Sequence, residues 1–133
     1  MIVGLGNDLV DIRRIEKMLV CYGERFIQRI FTDIERNRSE NLKKKSSSYA
    51  KRFAAKEACA KALGTGIACG INWKDMGVVN LSSGKPIMQL TNRAQGQLQK
   101  LLPPHHEAII HLSITDDFPW AQAFVIIEAL PRG

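Results

Sequence analysis

Residues 49–66 read Tyr49-Ala50-Lys51-Arg52-Phe53-Ala54-Ala55-Lys56-Glu57-Ala58-Cys59-Ala60-Lys61-Ala62-Leu63-Gly64-Thr65-Gly66. Alanine dominates the run, and two glycines close it. This predicts a helix over 48–63, with Ser48 as its cap and Gly64-Thr65-Gly66 as its stop. At 100° per residue, with Phe53 at zero, Ala60, Tyr49 and Ala50 all fall within about 60° of it. Glu57 falls at about 40°, inside the same apolar face. A buried carboxylate needs a partner, because an unpaired one costs several kcal/mol. A pair with Lys61 at i, i+4 is one answer, hydrogen-bond donors are a second, and a metal ion is a third.

On the N-terminal side, residues 2–8 read as a strand. Alternation puts Gly4, Gly6 and Asp8 on one face and Val3 and Leu5 on the other. The glycine face leaves room for backbone or ligand to lie close. Helices are expected over 11–21 and 25–31, broken at Gly23. Thr32 and Glu35 form a capping box for a short charged helix. Residues 39–48 are the most polar stretch and read as a surface connection. In it, Lys43-Lys44-Lys45 is either a solvated face or a phosphate contact.

On the C-terminal side, strands at 76–81 and 86–90 flank the turn Ser82-Ser83-Gly84-Lys85. A helix over 92–102 ends at Pro103-Pro104. Strands follow at 107–115 and 120–130, the first expected to be central in the sheet. The order is strand, helices, hairpin, helix, hairpin. That predicts one α+β domain over 1–133, a mainly antiparallel sheet packed with helices.

The chain has 133 residues, 45% hydrophobic and 24% charged, ordinary for a globular protein. The longest apolar run is residues 123–127, far short of the roughly 20 residues of a membrane helix. Gly4, Gly6 and Asp8 occupy the place of a signal-peptide core, so the expected location is cytoplasmic. Cys21, Cys59 and Cys69 lack metal-site spacing and read as reduced, packed thiols. The net charge of +6 points to a polyanionic partner: nucleic acid, a phosphorylated ligand or an acidic protein.

Asp8 is the second carboxylate of interest. It either caps the following helix or faces an open groove. Two carboxylates, one ending a strand and one on a helix face, can share a magnesium ion with phosphate oxygens and waters. His111 shares a strand face with Ser113 and reads first as a core residue. His105 and His106 read as exposed loop residues. Thr65 sits in a turn that either frees backbone N–H groups for an anion or only stops the helix.

Three motifs carry a resemblance along essentially the whole chain. They are Ile2-Val3-Gly4-Leu5-Gly6-Asn7-Asp8 with Arg14; Arg52-Phe53-Ala54-Ala55-Lys56-Glu57-Ala58 through Lys61-Ala62-Leu63-Gly64-Thr65-Gly66; and Gly84-Lys85-Pro86 with His111-Leu112-Ser113-Ile114-Thr115. The chain resembles the bacterial holo-acyl-carrier-protein synthases, the short phosphopantetheinyl transferases. The resemblance implies transfer of 4′-phosphopantetheine from coenzyme A to a serine of apo acyl carrier protein. It implies magnesium at Asp8 and Glu57, and phosphate or acid duty for Lys61. It assigns Arg52 and His111 to the nucleotide end and its 3′-phosphate, Gly64 and Thr65 to the cofactor, and Pro86 to the adenine pocket. Arg14, Arg25 and Phe26 would meet the carrier protein. It further implies a homotrimer with sites between subunits, and no membrane or nucleic-acid partner. Asn7 and Asp116 depart from the family pattern, Asp116 standing where many members have a histidine. Two alternatives remain at this point: a basic nucleic-acid-binding module, and a trimeric scaffold without activity.

Overall fold

The computed structural model describes residues 1–67 and 70–133. The expected packed thiol of Cys69 lies outside them. In chain order the elements are β1 (Ile2–Asp11), α1 (Ile12–Tyr22), α2 (Glu24–Ile30), α3 (Asp33–Glu40) and α4 (Lys45–Ala62). A 3-10 turn (Trp73–Asp75) leads to β2 (Met76–Asn80), β3 (Pro86–Leu90), α5 (Asn92–Leu101), β4 (His106–Asp117) and β5 (Trp120–Pro131). β1, β5 and β4 form one antiparallel sheet in that order, and β2 and β3 form a separate hairpin. The expected α+β class holds.

One face of the larger sheet carries α4. Along β5, every second residue from Ala121 through Ala123, Val125 and Ile127 to Ala129 is fully buried. Three of these five are alanine, so the helix can approach closely. Ala108, Ile110, Leu112 and Ile114 of β4 pack against the same core. Most of α4 is buried too, because sheet, α1, α3 and β2 surround it.

Six expectations are corrected. β1 does not end at Asp8: it pairs with β5 as far as Asp11 opposite Trp120. The cap of α1 is therefore Asp11, whose Oδ1 accepts from the Arg13 backbone N–H at 2.9 Å. Residues 39–48 are not a surface connection: α3 runs to Glu40 and α4 starts at Lys45, leaving a short link. Ser48 does not cap α4; it lies inside the helix, buried, its hydroxyl 2.7 Å from that of buried Ser39. β4 is an edge strand within this chain, and β5 is central. His111 is no core residue, because alternation along β4 puts it on the sheet face that α4 leaves uncovered. Its ring is exposed on the outer sheet face, with Nε2 3.0 Å from Glu128 Oε1. His106 begins β4 rather than lying in a loop, and its Nδ1 is 2.8 Å from the Pro104 carbonyl.

The Thr32–Glu35 capping box forms as expected. Its glutamate does more than cap. Glu35 and Lys56 are both fully buried and form an ion pair at 2.7 Å. Lys56 Nζ also donates to the carbonyls of Trp73 (3.1 Å) and Met76 (2.6 Å). Glu35 Oε2 accepts from the Val78 N–H at 2.8 Å. Pairing and hydrogen bonding together offset the desolvation of both charges.

Candidate active site

The site is built where β1 crosses α4. A Cβ on Gly6 would overlap the carbonyl oxygen of Ala58, and one on Gly4 would overlap that of Ala62. Glycine is therefore required for strand and helix backbones to touch. The room left by the glycine face belongs to backbone rather than ligand. The next residue on that face of β1 is Asp8, which this contact delivers to the C-terminal half of α4.

Lys61 meets it there. Its Nζ donates to Asp8 Oδ1 at 3.1 Å and to the Asn7 carbonyl at 3.0 Å. Of the alternatives for Glu57, the i, i+4 pair with Lys61 does not form, because Lys61 reaches across to β1. Glu57 is partly exposed, and its carboxyl is held above the ordinary glutamate range. Loss of water is the main cause and the negative charge of Asp8 adds to it, while Lys61 and Arg14 pull the other way.

Two carboxylates thus converge from a strand and a helix, each within the other's field. Their donor set is hard oxygen, and their mutual repulsion is what a divalent cation relieves. No group of three or more candidate ligands occurs among the described residues. The pair fits magnesium better than an all-protein cage metal, since magnesium retains waters and takes phosphate oxygens.

Arg14 lies beside this centre. Its guanidinium carbon is 5.6 Å from the centroid of Phe53, one turn before Glu57 on α4. Phe53 stacks in turn on Trp73, with ring centroids 5.1 Å apart. Arg25 is exposed on α2, whereas Phe26 is 7% exposed and belongs to the core. Phe26 shows only an edge to a cleft of about 420 Å³ that Met18, Tyr22, Arg25 and Arg29 also line.

The expected nucleotide contacts divide. Arg52 is 3% exposed and turned inward. It donates to the Ser48 carbonyl (3.1 Å) and hydroxyl (2.8 Å) and to Asn80 Oδ1 (3.0 Å). Pro86 opens β3, directly opposite Asn80. His111 faces away from α4, so one chain does not bring it to Arg52. The N–H groups of Gly64, Thr65 and Gly66 bond to the carbonyls of Lys61 and Ala60. The turn therefore stops the helix, and those amides are taken. A cleft of about 620 Å³ lies by Lys43, Lys44, Lys45 and Asp116, with Lys45 paired to Glu40 and Lys51 to Asp116.

Sequence reasoning missed Lys56, Ser48 and Asn80. On the helical wheel that singled out Glu57, Lys56 falls at about −60°, also toward the apolar side. That was the available signal, and it marked a more deeply buried charge than Glu57.

An antiparallel α+β domain in which two carboxylates and a lysine meet beside a glycine-faced strand has oxygen donors that could hold a divalent cation. The family model described as "4'-phosphopantetheinyl transferase superfamily" matches residues 4–122. The chain belongs to that family. It is 96% identical, over all 133 residues of both chains, to the holo-[acyl-carrier-protein] synthase of Bartonella tribocorum. It is 67% identical to that of Mesorhizobium japonicum, over 98% of this chain and 96% of the relative. Among solved structures, the Bacillus anthracis holo-(acyl-carrier-protein) synthase in complex with CoA (3',5'-ADP) is similar. Its TM-score is 0.76 at 40% identity, over 96% of each chain.

Proposed function

We propose that this protein transfers 4′-phosphopantetheine from coenzyme A to a serine of apo acyl carrier protein, releasing adenosine 3′,5′-bisphosphate. The meeting of Asp8, Glu57 and Lys61 at one crossing carries the reading, and the family supports it. The serine oxygen forms a bond to the β-phosphorus as the bond from that phosphorus to the bridging oxygen breaks. Glu57 is the residue of this site that accepts the serine proton. Lys61 neutralises charge on the departing phosphate. Asp8 and Glu57 would hold magnesium, which supplies charge neutralisation at the pyrophosphate when bound. The basic chain suits both the polyphosphate substrate and an acidic carrier.

The working unit is a homotrimer. The outer sheet face presents Leu5 (65% exposed), Leu9 (55%), Phe124 (45%) and Ile109 (40%), an apolar surface that association would cover. His111 shares that face, so association is the route by which it would reach a neighbour's nucleotide. We place the enzyme in the cytoplasm, serving fatty-acid synthesis. No helix among the described residues is long and apolar enough to cross a membrane.

The test is incubation with coenzyme A, Mg²⁺ and apo carrier protein, read by mass spectrometry. The carrier gains the phosphopantetheine mass and the nucleotide product appears in equal amount. Salt-steep binding of DNA or RNA with no such mass gain would support the nucleic-acid alternative instead.

A further inference from the structure

Two neighbouring arginines of α1 are held differently. Arg13 is used up locally: Nε and Nη2 donate to Asp11 Oδ1 and Oδ2, at 3.0 and 2.7 Å. Arg14 is exposed and has no hydrogen-bond or ion-pair partner among the described residues. An aromatic face places it instead, the guanidinium carbon lying 5.6 Å from the centroid of Phe53. Such a contact orients the group and leaves its N–H fork open for an oxyanion. Its charge already acts on the Glu57 carboxyl.

The aromatic face is itself supported. Phe53 is 6% exposed, and its ring stacks on that of Trp73, with centroids 5.1 Å apart and planes 25° from parallel. Trp73 belongs to a three-residue 3-10 turn, too short to fix a ring by its own hydrogen bonding. The turn is clamped from outside. Buried Lys56 donates to the carbonyls of Trp73 and Met76. Buried Asp75 accepts from the Asn72 N–H (3.2 Å) and from Asn92 Nδ2 (3.1 Å), and its carbonyl accepts from the Thr91 N–H (2.9 Å). So α4 and the start of α5 fix the turn, the turn fixes Trp73, Trp73 backs Phe53, and Phe53 carries the guanidinium. A long side chain ordered in advance loses less entropy when it meets its ligand.

We infer that Phe53 and Trp73 are positioning residues of the transfer reaction. Their stacked rings form a shelf that holds Arg14 beside Glu57, donors free, for an oxyanion of the reactants. This rests on the transferase reading above.

The experiment is a pair of double-mutant cycles on kcat/KM. Phe53→Leu and Trp73→Leu are each measured with Arg14 present and in Arg14→Ala, with Trp73→Phe as the conservative variant. Leucine keeps apolar bulk and removes the ring face. With Arg14 present, each leucine variant lowers kcat/KM about fivefold, the scale of an exposed cation–aromatic contact. In Arg14→Ala the same changes cost less than about twofold, and Trp73→Phe recovers most of the loss. Varying one substrate while the other saturates shows whether the oxyanion is a carboxylate of the carrier or a phosphate of coenzyme A. Equal losses in both Arg14 backgrounds would overturn the inference, since the rings would then be merely structural. Unchanged kcat/KM in Phe53→Leu with Arg14 present would overturn it too. Nuclear magnetic resonance reads the geometry without turnover: the Phe53 ring current moves the Arg14 side-chain protons upfield in wild type, and Phe53→Leu abolishes that shift. Its absence in wild type would count against the shelf. Should wild type transfer nothing, the transferase reading falls, and the resonance shifts still decide whether the rings hold Arg14.

Discussion

Lys61 holds Asp8 across two elements, at 3.1 Å, rather than Glu57 one turn earlier on its own helix. The ammonium therefore neutralises one oxygen of the Asp8 carboxylate and competes with any other cation for it. Asp8→Asn and Glu57→Gln are each expected to lower turnover by roughly 100-fold or more, with an unchanged circular dichroism spectrum. Lys61→Met is expected to lower turnover similarly, yet to tighten binding of Mg²⁺ alone in calorimetry, because a competing cation has gone. Weaker magnesium binding in Lys61→Met would oppose this picture.

Gly6→Ala drives a methyl group into the carbonyl of Ala58. Neither backbone can yield without parting β1 from α4, so a loss of about 3 kcal/mol is expected in chemical denaturation, with weakened magnesium binding at Asp8. Gly96 gives the opposite sign. It lies exposed inside α5 with no atom within 4 Å of a built Cβ. Gly96→Ala should stabilise by roughly 0.5–1 kcal/mol through helix propensity and leave turnover alone.

The buried Lys56–Glu35 pair should behave as a unit. Lys56→Met leaves an uncompensated carboxylate and is expected to cost about 3–5 kcal/mol. Adding Glu35→Gln removes that charge and keeps one acceptor oxygen, enough for the backbone N–H of Thr32 or of Val78, which bond to different oxygens of Glu35. The double variant should therefore be more stable than Lys56→Met alone. A double-mutant cycle with coupling below about 0.5 kcal/mol would count against it.

The carrier surface on α1 and α2 that the resemblance implies predicts a salt-dependent loss. Arg25→Glu should slow carrier use most at low ionic strength, because exposed charges are screened within about 8–10 Å. Its KM for coenzyme A should not move. Arg14→Glu should lose more, since Arg14 also borders Phe53 and Glu57. Equal salt slopes for wild type and Arg25→Glu would remove α2 from the docking surface.

Thiol reactivity should divide by burial. Burial pushes the Cys59 thiol up to about 12, with Lys56 acting in the opposite direction. It stays protonated and shielded across pH 6–9, whereas Cys21 is exposed. Mass mapping after a thiol reagent at pH 8 should find Cys21 modified in the native protein and Cys59 only after unfolding.

Local signals carried much of this molecule. Alanine density and terminal glycines marked α4, the Thr32–Glu35 spacing marked the start of α3, and alternation marked β4 and β5. These patterns are local because helix and strand periods are local. The errors fell where a distant partner decides. The end of β1 is set by pairing with Trp120, the place of Ser48 by Ser39 and Arg52, and the exposure of His111 by which sheet face α4 covers.

The sequence by itself determined the element order, the α+β class and the family motifs, and it singled out Asp8, Glu57 and Lys61, which the fold brings together. Tertiary structure alone decided who partners whom. Lys61 chose Asp8 over Glu57, Lys56 chose Glu35, and Arg52 chose Asn80. The reason is geometric. A helical wheel ranks which side chains point inward, but the energy of a buried charge depends on donors and acceptors from elements remote in sequence. Those partners acquire positions only when strand, helix and hairpin have packed.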